Sequence, residues 1–207
     1  ITLIRAAFDC GITDYGENRV QEAQHKVPFL SDRQARFHFI GHLQSNKVNA
    51  LLELDPCLIH SVDSLSLAQK LDGACRKRSR IQDILIQVNT SGEDTKSGIA
   101  PAAAIDLIQS VSQLPNLRIR GLMTIGTLGG DKRLVRSCFQ RLRGIFSEVK
   151  EMNVDQVEMH YLSMGMTDDF EIALTEGSNC LRIGSAFFGA RSLPERDSAP
   201  SGIKVDK

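Results

Sequence analysis

The strongest constraint on this chain is an alternation of short apolar runs with longer amphipathic ones, repeated about seven times. After a helix expected over residues 2–10 and stopped by Gly11, strands are expected at 12–15, 37–41, 58–62, 84–89, 117–124 and 157–162. Between them, the spacing of apolar residues predicts helices at 20–30 (broken near Pro28), 48–54, 64–77, 101–114 and 134–152. Asp63 or Ser64 is placed to cap the third of these helices, and Pro101 suits the first turn of the one that follows. Strands that alternate with helices in this way make a parallel sheet. No G-x-G-x-x-G follows a strand, which argues against a doubly wound dinucleotide-binding sheet. The expected class is therefore an α/β chain forming a (β/α)8 barrel whose first strand is missing from this sequence.

The stretch 162–191, LSMGMTDDFEIALTEGSNCLRIGSAFFGAR, reads as strand, turn, helix, strand and turn. Each of its turns, Ser163-Met164-Gly165-Met166 and Gly184-Ser185, joins a glycine to a hydroxyl side chain just past an apolar strand. Glycine permits close backbone approach, and N–H groups opening a helix favour an anion. In barrels of this class the loops after strands seven and eight often bind phosphate, and a count that allows for a missing first strand puts these two turns there. Asp168 or Thr167 is expected to cap the intervening helix, with Glu171 completing a capping box if Asp168 is the cap. Arg182 lies inside an apolar strand, where an unpaired charge is costly, and is expected to touch the molecule that carries the phosphate. The competing reading makes both turns ordinary loops and pairs Arg182 with a carboxylate.

Composition narrows the partners. Lys+Arg and Asp+Glu both number 25, so no basic excess points to nucleic acid or an anionic membrane. No apolar run approaches the roughly 20 residues of a membrane span. The five cysteines are scattered, with no C-x-x-C spacing, as expected of thiols in a reducing compartment rather than a zinc site. A cytoplasmic protein is expected. A mitochondrial location stays open because the chain opens at Ile1, directly with a helix, as if an N-terminal segment lay upstream. Residues 1–191 are expected to form one barrel domain, and 192–207, with Pro194, Pro200 and many charges, a disordered tail.

Other strand ends supply Asn18, His42, His60, Asn89 and Met123. His60 reads as packing or loop polarity, Asn18 and Asn89 as turn residues, and His42 as part of a polar run starting a helix. Met123, Met164 and Met166 read equally as packing or ligand contacts.

Several ordered blocks carry a family resemblance. Tyr15-Gly16-Glu17-Asn18-Arg19-Val20-Gln21-Glu22 is similar to a G-E-N-x-x-Q-E block, and 38–47, HFIGHLQSNK, to an H-F-I-G-x-L-Q-x-N-K block. Gln87-Val88-Asn89-Thr90-Ser91, Lys96-Ser97-Gly98 and Gly121-Leu122-Met123-Thr124-Ile125 follow in order, and the stretch at 162–191 supplies S-M-G-M and R-I-G-[ST]-x-x-F-G. The chain resembles the pyridoxal 5′-phosphate (PLP) homeostasis proteins up to Arg191. The resemblance implies a single-domain barrel like the N-terminal domain of alanine racemase, and PLP held as a Schiff base on a lysine of the first strand. It implies an intracellular vitamin B6 carrier or buffer without established turnover, with PLP-requiring apo-enzymes as candidate partners and a monomer or weak dimer as the expected state. It assigns no catalytic or metal-binding residue. By motif, Ser163, Gly184 and Ser185 would hold the phosphate and Arg182 would face the pyridine nitrogen. Asn18, Met164 and His42 would border the ring.

Two departures stand out. The family's Schiff-base lysine precedes Ile1 in this alignment of blocks, and Lys47 and Lys96 are poor substitutes: one matches a different motif lysine, the other sits in a loop. Met159-His160-Tyr161 lengthens the approach to Ser163. An amino-acid racemase of alanine-racemase type is the alternative function, but the chain has only Tyr15 and Tyr161 and no room for a second domain. A phosphosugar-type barrel enzyme would need an acid/base pair at the strand ends, and no convincing pair is legible.

Overall fold

A computed structural model describes residues 1–93, 95–127 and 131–189. The expected tail at 192–207, Arg191 and Gly129-Gly130 of the loop before the longest helix lie outside the described residues.

Helix α1 (Thr2–Asp9) ends at Cys10, and Gly11 turns the chain at φ +90°. Six strands follow: β1 (Asp14–Glu17), β2 (Arg36–Phe39), β3 (Leu58–Val62), β4 (Gln82–Gln87), β5 (Leu117–Met123) and β6 (Val157–Ser163). They form one all-parallel sheet in sequence order. Helices α2 (Val20–Lys26), α3 (Val48–Leu52), α4 (Leu65–Arg76), α5 (Ala104–Ser112) and α6 (Lys132–Met152) fill the crossovers, and α7 (Phe170–Thr175) and α8 (Ser185–Phe188) follow β6. The Ser64 hydroxyl caps α4 by accepting from the Leu67 amide at 3.4 Å. Pro28 and Pro101 each open a short 3-10 turn, where a missing N–H goes unneeded.

Two expectations change. The first strand runs two residues later than expected, because its ladder pairs Asp14 with Arg36 and Glu17 with Phe39. The run after Asn179, expected as a seventh strand, is one bridge between Ser163 and Cys180, with the Arg182 amide donating to the Gly165 carbonyl at 3.0 Å. Closed off by Gly184, that segment is too short to extend the ladder further.

Strand alternation sorts the side chains. Phe37, Phe39, Ile59, Ile84, Ile86, Leu122, Leu162 and Met164 join the main core against the helices. The opposite face carries a small cluster of Leu58, Leu85 and Met123. Successive residues of a strand point to opposite faces, so His38, His60 and Ser163 share this second face. His60 and Ser163 lie on β3 and β6, three positions apart in the sheet, yet their side chains meet at 3.1 Å. In a flat sheet three strand spacings would separate them by about 14 Å. The sheet therefore curls around its inner face, as a barrel does. The ladder itself stays open between β1 and the segment after β6 among the described residues.

Candidate functional site

The site forms where the inner face meets the C-terminal ends of β5 and β6. Two loops are joined there. The Arg182 amide bonds the Gly165 carbonyl, and the Ser185 hydroxyl donates to Thr167 Oγ1 at 3.0 Å. Gly165 is obligatory at this junction: its φ is +97°, and a Cβ would sit 2.5 Å from that of Ala173. Helix α7 is capped otherwise than expected, since Asp169 is its N-cap residue. The Asp169 carboxylate folds back to accept the Met166 amide at 2.6 Å, closing the turn that presents Thr167.

Among the described residues Arg182 meets no carboxylate in its hydrogen bonds. Its Nη1 donates to Ser163 Oγ at 2.7 Å and its Nη2 to the Thr124 carbonyl at 2.8 Å, so β5, β6 and the last loop are tied by one guanidinium. Burial pushes the Arg182 pKa down to about 10, with Cys180 and Asp169 opposing, which leaves it a cation at neutral pH. Two bonds use two of its five N–H donors.

Ser163 is fully buried, and its hydroxyl is engaged with Arg182 and with His60 Nδ1. It does not pair with Ser185, so the two turns meet through Thr167 and Ser185, not through their serines. Met164 is fully buried in the main core, on the opposite side of the strand from Ser163, and its side chain serves packing. Asn18 is exposed just past β1, and its carbonyl lies where a Cβ on Gly41 would be, 1.9 Å away. Gly184 starts α8, and Ser185 is its exposed first residue. Asn89 is a turn residue: its side chain bonds the Glu93 and Lys96 carbonyls, the Ser91 hydroxyl and the Gly92 amide. The Lys96 amine is held by Glu93 at 2.6 Å and by the Gly126 carbonyl at 2.9 Å. His42 is exposed beside Ser97 and Asp63, on an open cavity of about 700 Å³ also lined by Asn46 and Lys70.

His60 is the main surprise. It is neither loop polarity nor simple packing, being 1% exposed and hydrogen-bonded at both ring nitrogens. Its Nε2 lies 3.0 Å from His38 Nδ1, and His38 Nε2 lies 2.8 Å from Asp14 Oδ1. Burial lowers the pKa of both rings. For His60 the neighbouring His38 and Arg182 add to the effect, whereas for His38 Asp14 opposes it. The signal was present in the sequence, as His38 stands between Phe37 and Phe39 and His60 follows Ile59 in an apolar strand.

Residues 1–192 match the model of the alanine racemase N-terminal domain family. A pyridoxal phosphate homeostasis protein of Aquifex aeolicus is 42% identical over 190 residues, covering 91% of this chain and 82% of that protein. This chain belongs to the pyridoxal phosphate homeostasis protein family. Among solved structures, Synechococcus elongatus PipY with PLP bound is 35% identical with a TM-score of 0.82, covering 91% of this chain and 87% of that one. Alanine racemase of Clostridium difficile, 13% identical with a TM-score of 0.71 over 88% of this chain and 46% of that one, shares the fold alone. These matches agree with the curled parallel sheet. Among the described residues no helix is long and apolar enough to cross a membrane.

Proposed function

We propose that this chain binds PLP and acts as a carrier and buffer of the cofactor inside the cell, passing it to PLP-requiring apo-enzymes without turnover of its own. The observation that carries the reading is the placement of Arg182. It is a half-buried cation, braced by Ser163 and the Thr124 carbonyl, beside a junction of two loops that offers the Ser185 and Thr167 hydroxyls and the first amides of α8. The donor set fits the cofactor. Hydroxyls and helix-opening amides suit a phosphate, and a donor-only guanidinium suits a ring nitrogen that accepts. An arginine facing that nitrogen keeps it unprotonated, which weakens the electron sink that PLP supplies when bound. Ser163 then serves Arg182, while Gly184, Ser185 and Thr167 take the phosphate, and Asn18 borders the site from β1. The PLP-bound relative supports the ligand, and the names of the curated relatives support the role. The racemase alternative rests on a likeness of fold at 13% identity and gains nothing from the site. In this reading residues 1–191 form the binding unit, working in the cytoplasm as a monomer or weak dimer.

Titration with PLP, followed by its absorption, tests the reading. Replacing Arg182→Ala and Ser185→Ala together should weaken retention about 10- to 100-fold, as expected from losing charge-assisted hydrogen bonds of about 1.5–3 kcal/mol. Unchanged retention in the folded double variant would show that the two turns are structural. Amino-acid racemisation clearly above background would refute the carrier role.

A further inference from the structure

Behind Arg182 the hydrogen bonds continue as an unbroken line across the inner face: Arg182, Ser163, His60, His38, Asp14. The protons in this line can be assigned by elimination. Burial would raise the Asp14 carboxyl, but hydrogen bonds from Arg36, Thr13 and His38 hold it below the ordinary carboxylate range, so it only accepts. His38 Nε2 must then carry a hydrogen. Because His38 is neutral at neutral pH, its Nδ1 is bare and accepts from His60 Nε2–H. His60 is neutral too, so its own Nδ1 is bare and takes the Ser163 hydroxyl proton. Ser163 Oγ is thereby left as an acceptor for Arg182 Nη1–H, the one role a guanidinium partner can use. Every bond runs in one direction, and each atom has the partner it needs. The other charged and titratable groups facing the line are Arg36 and Cys57 toward Asp14, Cys180 beside Ser163 and Asp169 toward Arg182.

We propose that His60 and His38 are positioning residues for Arg182: together with Asp14 they fix the direction of the Ser163 hydroxyl, so that the guanidinium is held to present its remaining donors to a ligand atom that accepts. The inference rests on the PLP reading for the identity of that atom, the pyridine nitrogen. A reversed line would turn the Ser163 proton toward Arg182, where two donors would oppose each other in a buried place.

Two measurements test the proposal. Nitrogen-15 spectra of the histidines in the ligand-free chain should show His60 and His38 each with a bare Nδ1 and a protonated Nε2. A protonated Nδ1 on His60 would overturn it. The second measurement uses pyridoxamine 5′-phosphate, which keeps the ring nitrogen and phosphate, and an analogue whose ring nitrogen is replaced by carbon. His60→Leu should weaken the first ligand about tenfold and leave the carbon analogue unchanged, while His60→Gln, which can both accept and donate, should recover most of the loss. Equal weakening of both ligands, or none, would reduce His60 to a structural residue. If the unaltered chain binds neither ligand, the PLP reading fails, and the nitrogen spectra still decide the line.

Discussion

Lowering the pH should destabilise this protein steeply between pH 6.5 and 5, and the buried histidine pair supplies the reason. His60 and His38 have folded-state pKa values below the ordinary histidine value, chiefly through burial. The unfolded chain therefore binds more protons than the folded one in this range, so stability is complete above about pH 6.5 and falls as the pH drops. Each histidine that stays neutral in the fold costs at most about 1.4 kcal/mol per pH unit. Integrated from pH 7 to pH 5 from an unfolded value near 6.5, that is about 2 kcal/mol for His60 alone and about 4 kcal/mol if His38 also stays neutral. Asp14 acts in the other window: its lowered pKa contributes stability present above the ordinary carboxylate range and lost only in stronger acid. Urea unfolding at several pH values reads the effect directly. With a denaturant slope of about 2 kcal/mol per M, the midpoint should fall by about 1–2 M between pH 7 and pH 5. The control is the His38→Gln, His60→Gln double variant, which cannot titrate at these positions and should lose most of that slope. A flat midpoint in the unaltered chain, or the same fall in the double variant, would refute the assignment of neutral buried rings.

Two further outcomes follow from packing and from charge. Gly41→Ala should cost roughly 3 kcal/mol or more, because a Cβ there would fall 1.9 Å from the backbone carbonyl of Asn18, which has no flexible end to yield; a thermal melt within a degree of the unaltered chain would contradict the close approach of the β1 and β2 ends. Lys96, tied to Glu93 and the Gly126 carbonyl, should take no PLP when the cofactor is added and the mixture is reduced with borohydride, and a labelled peptide containing Lys96 would show that this amine is free to react.

What could be read from the sequence, and what could not, divides along a physical line. Local rules placed most helices and some of their caps: Ser64 before α4, Pro101 at the turn into α5 and the long amphipathic α6 are set by neighbours within a few residues, whereas α7 starts from Asp169 and not from Thr167 or Asp168. The pairing of the two Gly-hydroxyl turns was also legible, since a barrel brings its last loops together. The histidine line was not, although each histidine sat visibly in an apolar strand. Its formation depends on register: β2 and β3 pair with His38 opposite Leu58, which puts His60 one pleat further along the same face. A slip of one residue would turn His60 into the helix-facing core. It depends equally on curvature, because only a curled sheet brings β6 within reach of β3. Neither quantity is written in any short segment. The same reasoning explains Met164, whose motif places it beside the site but whose position one residue past Ser163 sends its side chain to the other face. A motif assigns residues to a neighbourhood, whereas strand parity decides which of them reach the inner face of the sheet. Within S-M-G-M parity selects Ser163, and the line behind Ser163 gives it a partner other than phosphate.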